Sequence, residues 1–350
     1  MPAYAGIIAR YHDYLKLPAG AVPVTLLEGN TPLILAPRLG AELGCTLYLK
    51  YEGLNPTGSF KDRGMTVAIT AAAARGARAV ICASTGNTAA SAAAYAARAG
   101  LRCLVVIPQG HVAAGKLAGV LAYGAQVIQV QGSFDDALSL VRQLADREPI
   151  ALVNSVNPYR LEGQKTAAFE ICDELGRAPD WLCLPVGNAG NITAYWKGFS
   201  EYRAAGRIPN APRLLGAQAA GAAPLVLGRV VERPETVASA IRIGRPARGE
   251  EALLAAEASD GRIIAVSDEA ILAMQGALAG EGVWCEPASA AGAAGLLQEA
   301  RAGRLELSGR MVVAVITGHG LKDPDAITSR AAPPAVIGPS FDELLKVARL

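Results

Sequence analysis

The stretch Asn55-Pro56-Thr57-Gly58-Ser59-Phe60-Lys61-Asp62-Arg63-Gly64 decides how the rest of the chain is read, because it sets a lysine where a turn becomes a helix. Asn-Pro and Thr-Gly are turn signals, and Ser59 with Asp62 three residues on has the spacing of a capping pair. The helix it opens runs on through residues 66–74. Lys61 then falls in the first turn. There the positive end of the helix dipole disfavours an ammonium, and partial burial against Phe60 acts the same way, lowering the amine from its free pKa of about 10.4. A neutral amine can attack an aldehyde and form a Schiff base. Taken alone, the decapeptide fits an ordinary surface lysine at a helix start equally well.

Outward from this stretch the chain settles into a strand–helix rhythm. Apolar, β-branched runs at 79–82, 103–107, 127–130 and 150–153 alternate with helical stretches at 88–98, 113–123 and 134–147. A second series follows, with strands at 181–185, 214–217, 263–266 and 312–316 and helices at 161–175, 192–205, 268–279 and 288–300. The strands are continuously apolar, which implies parallel sheets covered on both faces. Ser133 and Ser267, each followed by acidic residues, read as helix N-caps, as does Ser340 before a last helix. Residues 224–249, rich in Gly, Pro and Arg, read as a surface excursion or mobile loop. The fold class is therefore α/β, with two domains that each carry a mainly parallel sheet under helices. The first sheet ends near residue 150, and the chain is long enough for two domains sharing one cleft.

Bulk properties narrow the function. The 350 residues, 51% of them hydrophobic, suffice for two buried cores. With 33 basic and 31 acidic residues interspersed, the net charge is +2, which argues against nucleic acid as the main partner. Cys45, Cys82, Cys103, Cys172, Cys183 and Cys285 are scattered, three of them inside apolar runs, and read as core residues in a reducing, cytoplasmic setting. His12, His111 and His319 are not at metal-ligand spacing, so no metal is expected. No signal-like or membrane-spanning run is evident.

In open parallel sheets ligands bind beyond the carboxyl ends of strands, and four polar loops sit there. Ser84-Thr85-Gly86-Asn87-Thr88 opens a helix and could receive a carboxylate or phosphate, or simply cap the helix. Gly187-Asn188-Ala189-Gly190-Asn191 can curl into an anion nest, and it matches neither a dinucleotide fingerprint nor a Walker loop. Thr317-Gly318-His319-Gly320 ends the last strand with a hydroxyl. Asn154-Ser155-Val156-Asn157-Pro158-Tyr159-Arg160 collects polar groups and a guanidinium suited to an anion. A lysine for an aldehyde, a nest for a phosphate and a hydroxyl for a ring nitrogen are the parts that pyridoxal phosphate requires.

Asn55 to Gly64, continued by Met65, resembles the form of this motif found in the threonine synthases, within the fold type II pyridoxal-phosphate family that also holds threonine dehydratase, cysteine synthase and the tryptophan synthase β subunit. The resemblance spans nearly the whole chain. It implies a tryptophan synthase β-like fold with a small mobile domain of 54–150, a large domain of 1–53 plus 151–350 and the active site in the cleft between them, and the conversion of O-phospho-L-homoserine and water to L-threonine and phosphate. A serine/threonine dehydratase of the same family is the alternative. Carried onto matching positions, the resemblance implies that Lys61 binds pyridoxal phosphate, Gly187, Asn188, Ala189, Gly190 and Asn191 hold its phosphate, Asn87 bonds its ring oxygen and Thr317 faces its ring nitrogen. It assigns the substrate carboxylate to Ser84, Thr85 and Thr88, and the substrate phosphate to Lys116, Asn154, Ser155, Arg160 and Asn188. It further implies a homodimer; because only 33 residues follow Thr317, no carboxy-terminal regulatory domain is expected.

Overall fold

Two sheets organise the chain in a computed structural model that describes residues 3–110, 114–132 and 134–348. Ser133 lies outside the described residues. Ten strands run in chain order: β1 (Leu33–Leu35), β2 (Thr46–Tyr51), β3 (Ala79–Ala83), β4 (Arg102–Pro108), β5 (Gln126–Val130), β6 (Ile150–Leu152), β7 (Trp181–Pro185), β8 (Arg213–Ala219), β9 (Arg262–Val266) and β10 (Met311–Ile316). A four-stranded parallel sheet has the order β5-β4-β3-β6, and a six-stranded sheet the order β1-β2-β10-β7-β8-β9, parallel except for the β1–β2 edge pair.

The central strands of each sheet are buried on both faces, as continuously apolar strands require. One core on the six-stranded sheet joins Leu49, Cys183, Ala217 and Ala314 to the Pro287–Arg301 helix, and the opposite core joins Leu182, Leu184, Val313 and Val315 to Phe169, Ile192 and Phe199. The small sheet has its own two layers, one around Val80, Tyr95 and Val105 and one around Ile81, Val106 and Val141. All six cysteines are free thiols, five of them buried in these layers. Among the described residues no helix is long and apolar enough to cross a membrane.

The strand order creates two crevices. In the small sheet the chain leaves β3 toward β4 on one side while β6 lies on the other, so the loops after β3 and β6 diverge. In the large sheet β7 leads toward β8 while β10 lies on its other side. Ligands bind at such switch points, and the four loops singled out from the sequence follow β3, β6, β7 and β10.

Residues 224–249 run over the surface, as the sequence reading expects, with most side chains exposed or half-buried, but their inner side is packed. Ala238 and Ile241 are buried, and the Cα of Ile241 lies so close to Gly187 that a Cβ there would meet it at 3.0 Å. The segment is a packed cover over the glycine turn, held by apolar residues too sparse to show a period. It leads into a helix that the sequence reading missed, Gly249–Ala258. Strands β1 and β2 were also missed. They are short or mixed in burial, and β2 contains Lys50, whose Nζ is answered inside by the Thr31 carbonyl at 2.6 Å and Glu170 at 2.9 Å.

Candidate active site

Lys61 opens the Lys61–Ala74 helix, which is buried along most of its length. Its loop is stitched to the end of β10: Phe60 N donates to the Thr317 carbonyl at 3.0 Å, and His319 N donates to the Gly58 carbonyl at 2.9 Å. The expected capping pair forms differently. Ser59 Oγ accepts only a long bond of 3.4 Å from Lys61 N, whereas the Asp62 carboxylate turns back to accept from Thr57 N at 2.7 Å and Thr57 Oγ1 at 2.6 Å. Asp62 also accepts from Ser91 Oγ at 2.6 Å, tying the lysine loop to the Asn87–Arg98 helix. Two residues on, Arg63 points away from the cleft into a buried ion network with Glu52 and Glu170. The helix can lie close beneath the cleft because Gly64 faces Gly163 of the Pro158–Gln164 helix. A Cβ on Gly163 would stand 1.8 Å from the Arg63 carbonyl oxygen.

The Lys61 side chain is half-buried, with Nζ 4.4 Å from the Phe60 ring centroid and no hydrogen-bond partner among the described residues. Burial lowers its ammonium to about 7, the nearby Arg160 guanidinium adds repulsion, and Glu286 partly opposes both. The amine is therefore substantially neutral near physiological pH, the state that attacks an aldehyde.

Of the side chains expected from sequence, two are tied to the lysine loop: Thr317 through its carbonyl, which accepts from Phe60 N, and Asn87 through Glu286, whose charge acts on Lys61. Asn87 is the first residue of its helix, and Gly86 is the N-cap with no side-chain cap, so Ser84, Thr85 and Thr88 do not cap that helix. All three are half-buried beside the crevice after β3. Thr317 is buried, its Oγ1 2.8 Å from Ser289 Oγ, which also accepts from Gly318 N at 2.8 Å. The 187–191 turn precedes the Gly190–Ala204 helix, with Ala189 in the left-handed region at φ 65°. The N–H groups of Gly187, Asn188, Ala189 and Gly190 find no protein acceptor among the described residues, and the buried Asn191 Nδ2 has no partner. Unanswered donors at a helix N-terminus suit a phosphate dianion, so the residues present fit pyridoxal phosphate.

The remaining expected residues differ in their surroundings. Asn154 is buried, its Oδ1 accepting from Ala83 N at 3.0 Å and its Nδ2 donating to the Ala83 carbonyl at 2.9 Å, so it braces the loop after β3. Arg160 is buried beneath Gly64, with NH1 on the Val153 carbonyl at 2.9 Å and Nε without a partner. Burial lowers its guanidinium to about 10. Ser155 and Asn188 are half-buried, and Asn188 Oδ1 accepts from Ala247 N at 3.3 Å. The Lys116 side chain lies outside the described residues.

Three groups went unnoticed in the sequence. Glu286 is buried, accepts from Asn87 Nδ2 at 2.9 Å and is pushed up to about 7, mainly by burial. Its signal was a lone carboxylate before Pro287 at the start of an alanine-rich helix. Ser289 sits one turn further in. Lys322 Nζ donates to the Thr57 carbonyl at 3.1 Å, bracing the lysine loop from behind.

The chain matches the pyridoxal-phosphate dependent enzyme family over residues 24–318 and belongs to it; pyridoxal phosphate is its cofactor. Within that family it is similar to a threonine synthase of Mycobacterium leprae, 62% identical over 92% of this chain and 90% of that one. A threonine synthase of Synechocystis is 58% identical over 92% of this chain and 84% of that one. Among solved structures, maize serine racemase shares the fold at a TM-score of 0.75 with 21% identity, covering 99% of this chain and 100% of that chain. The fold is thus the type II form of this family.

Proposed function

We propose that the chain is a threonine synthase acting on O-phospho-L-homoserine. The reading rests on Lys61, an amine brought down to about 7 by burial and the nearby Arg160 guanidinium, in a chain whose 187–191 turn leaves its backbone N–H groups without protein acceptors among the described residues. Pyridoxal phosphate, when bound, supplies the electron sink for carbanions beside the amino carbon.

The chain's own residues do the rest. Gly187, Asn188, Ala189, Gly190 and Asn191 hold the cofactor phosphate, Asn87 holds its ring oxygen and Thr317 offers a neutral hydroxyl to its ring nitrogen. Ser84, Thr85 and Thr88 receive the substrate carboxylate, and Lys116, Asn154, Ser155, Arg160 and Asn188 hold the substrate phosphate. Lys61 Nζ takes protons from Cα and then Cβ as the Cγ–oxygen bond breaks and phosphate leaves. Protons return to Cγ and Cα, and water adds its oxygen at Cβ, so substrate and water balance threonine and phosphate. An amine titrating near 7 suits both directions of transfer.

In the same reading the small mobile domain begins at residue 54 and ends just after β6, beyond the expected boundary at 150, because β6 pairs with β3 in the four-stranded sheet; the rest of the chain forms the large domain, and the protein is a cytoplasmic homodimer. The test is turnover of O-phospho-L-homoserine by the cofactor-loaded protein. Threonine and phosphate released in equal amounts support it; 2-oxobutyrate formed from threonine, without phosphate release from the phosphorylated substrate, overturns it in favour of a dehydratase.

A further inference from the structure

The cover formed by residues 224–249 ends in a residue that reaches across the cleft. Arg248 Nε donates to the Ser155 carbonyl and its NH2 to the Val156 carbonyl, both at 3.2 Å, while NH1 pairs with Glu251 at 3.1 Å. Its side chain is 16% exposed. The stem passes over the glycine turn, where a Cβ on Gly190 would meet Arg248 Cδ at 3.9 Å. One residue earlier, Ala247 N donates to Asn188 Oδ1.

Ser155 and Val156 follow β6 of the small sheet, whereas Asn188 follows β7 of the large sheet. Two consecutive residues of one segment therefore hold one loop from each side of the cleft. Among the described residues no other hydrogen bond connects these two loops to each other or to a common third segment. Asn154 and Arg160 do not perform this task, because their recorded bonds stay within the small-sheet side, on Ala83 and Val153. The planar guanidinium fork can hold two neighbouring carbonyls at once and an ammonium lacks that geometry.

We propose that Arg248 is a positioning residue that joins the 154–157 loop to the 187–191 turn, so that Ser155 and Asn188 meet as one pocket for the substrate phosphate. This rests on the substrate reading above. Arg248 acts through the carbonyls and the turn, and the phosphate itself is met by the residues they carry.

The test uses cofactor-loaded protein, whose own phosphate nest is filled, with inorganic phosphate as the probe. Its dissociation constant is measured by calorimetry alongside the KM and kcat for O-phospho-L-homoserine, for the parent chain, Arg248→Lys and Arg248→Ala. Both variants are expected to bind phosphate about tenfold more weakly and to raise KM more than they lower kcat, because only part of the energy of the two lost hydrogen bonds reaches the phosphate through the loops they hold. Cofactor affinity should change less than about twofold, since the nest donors remain. Unchanged phosphate binding, full rescue by Arg248→Lys, or a loss of cofactor affinity in step with phosphate affinity would overturn the proposal. If the parent chain turns over the substrate and binds phosphate but the variants match it, only the role of Arg248 falls. If the parent chain binds no phosphate, the substrate reading falls and takes this one with it.

Discussion

Asn87 Nδ2 donates to Glu286 Oε1 at 2.9 Å, a bond that spans 199 residues of sequence and ties the first turn of a small-sheet helix to the end of the cleft formed by the large sheet. An amide has two protons on its nitrogen, so the bond to Glu286 fixes the orientation of Asn87 and leaves the second proton for another acceptor. The same turn places Ser289 against Thr317, so one helix start orients both side chains that face the cofactor ring in this account.

Glu286 gives a pH signature. Burial raises its carboxyl from 4.5 to about 7, so the folded protein favours the protonated form. That contribution is fully present below the unfolded value and is lost as pH rises through the folded one. Glu286→Gln keeps a neutral acceptor for Asn87 and removes the titration. In urea unfolding of the cofactor-free protein, the stability of the variant relative to the parent should therefore grow by roughly 3 kcal/mol between pH 4.5 and 8. A difference that stays flat across this window contradicts the buried, proton-holding carboxyl.

Thr317→Val keeps the shape of the side chain and deletes its hydroxyl. The loss of one hydrogen bond, about 1 kcal/mol, should weaken cofactor binding about fivefold in a titration of the cofactor-free protein. Ser289→Ala should weaken it in the same direction, because Ser289 orients that hydroxyl. Cofactor affinity unchanged in both variants would remove Thr317 from the ring contact.

Gly163→Ala tests the seat of the lysine helix. The added methyl would stand 1.8 Å from the Arg63 carbonyl oxygen and 2.8 Å from Gly64 Cα, so the two helices must part. Overpacking of this kind costs about 1–3 kcal/mol. Thermal unfolding should show a lower melting temperature, with a matching fall in turnover as Lys61 shifts. A variant with the parent's melting temperature would mean that the helices are not in close contact.

The fold was legible wherever burial is two-sided. The predicted 181–185 strand coincides with β7, and the strands from β3 to β10 were each found within a few residues, because continuous apolar runs between Gly, Pro and Asn leave little ambiguity. Strands β1 and β2 escaped because one is three residues long and the other hides a paired lysine. Lys61 and the four strand-end loops were legible from turn chemistry and position. Glu286, Ser289 and Arg248 were not, since their meaning lies in partners far along the chain: Asn87, Thr317 and Ser155. The packed inner side of segment 224–249 escaped for a related reason. Its few apolar residues pack on a glycine turn rather than on a periodic face, so no repeat announces their burial.

The central claim is that Lys61, and no other of the eight lysines, binds the cofactor aldehyde. Reduction of the cofactor-loaded protein with borohydride, followed by peptide mass mapping, tests it directly. The account predicts a single phosphopyridoxyl adduct on the peptide that carries Lys61, and loss of both the adduct and the visible absorption band in Lys61→Ala. An adduct on another lysine of the parent chain, or a visible band that survives in Lys61→Ala, would contradict it.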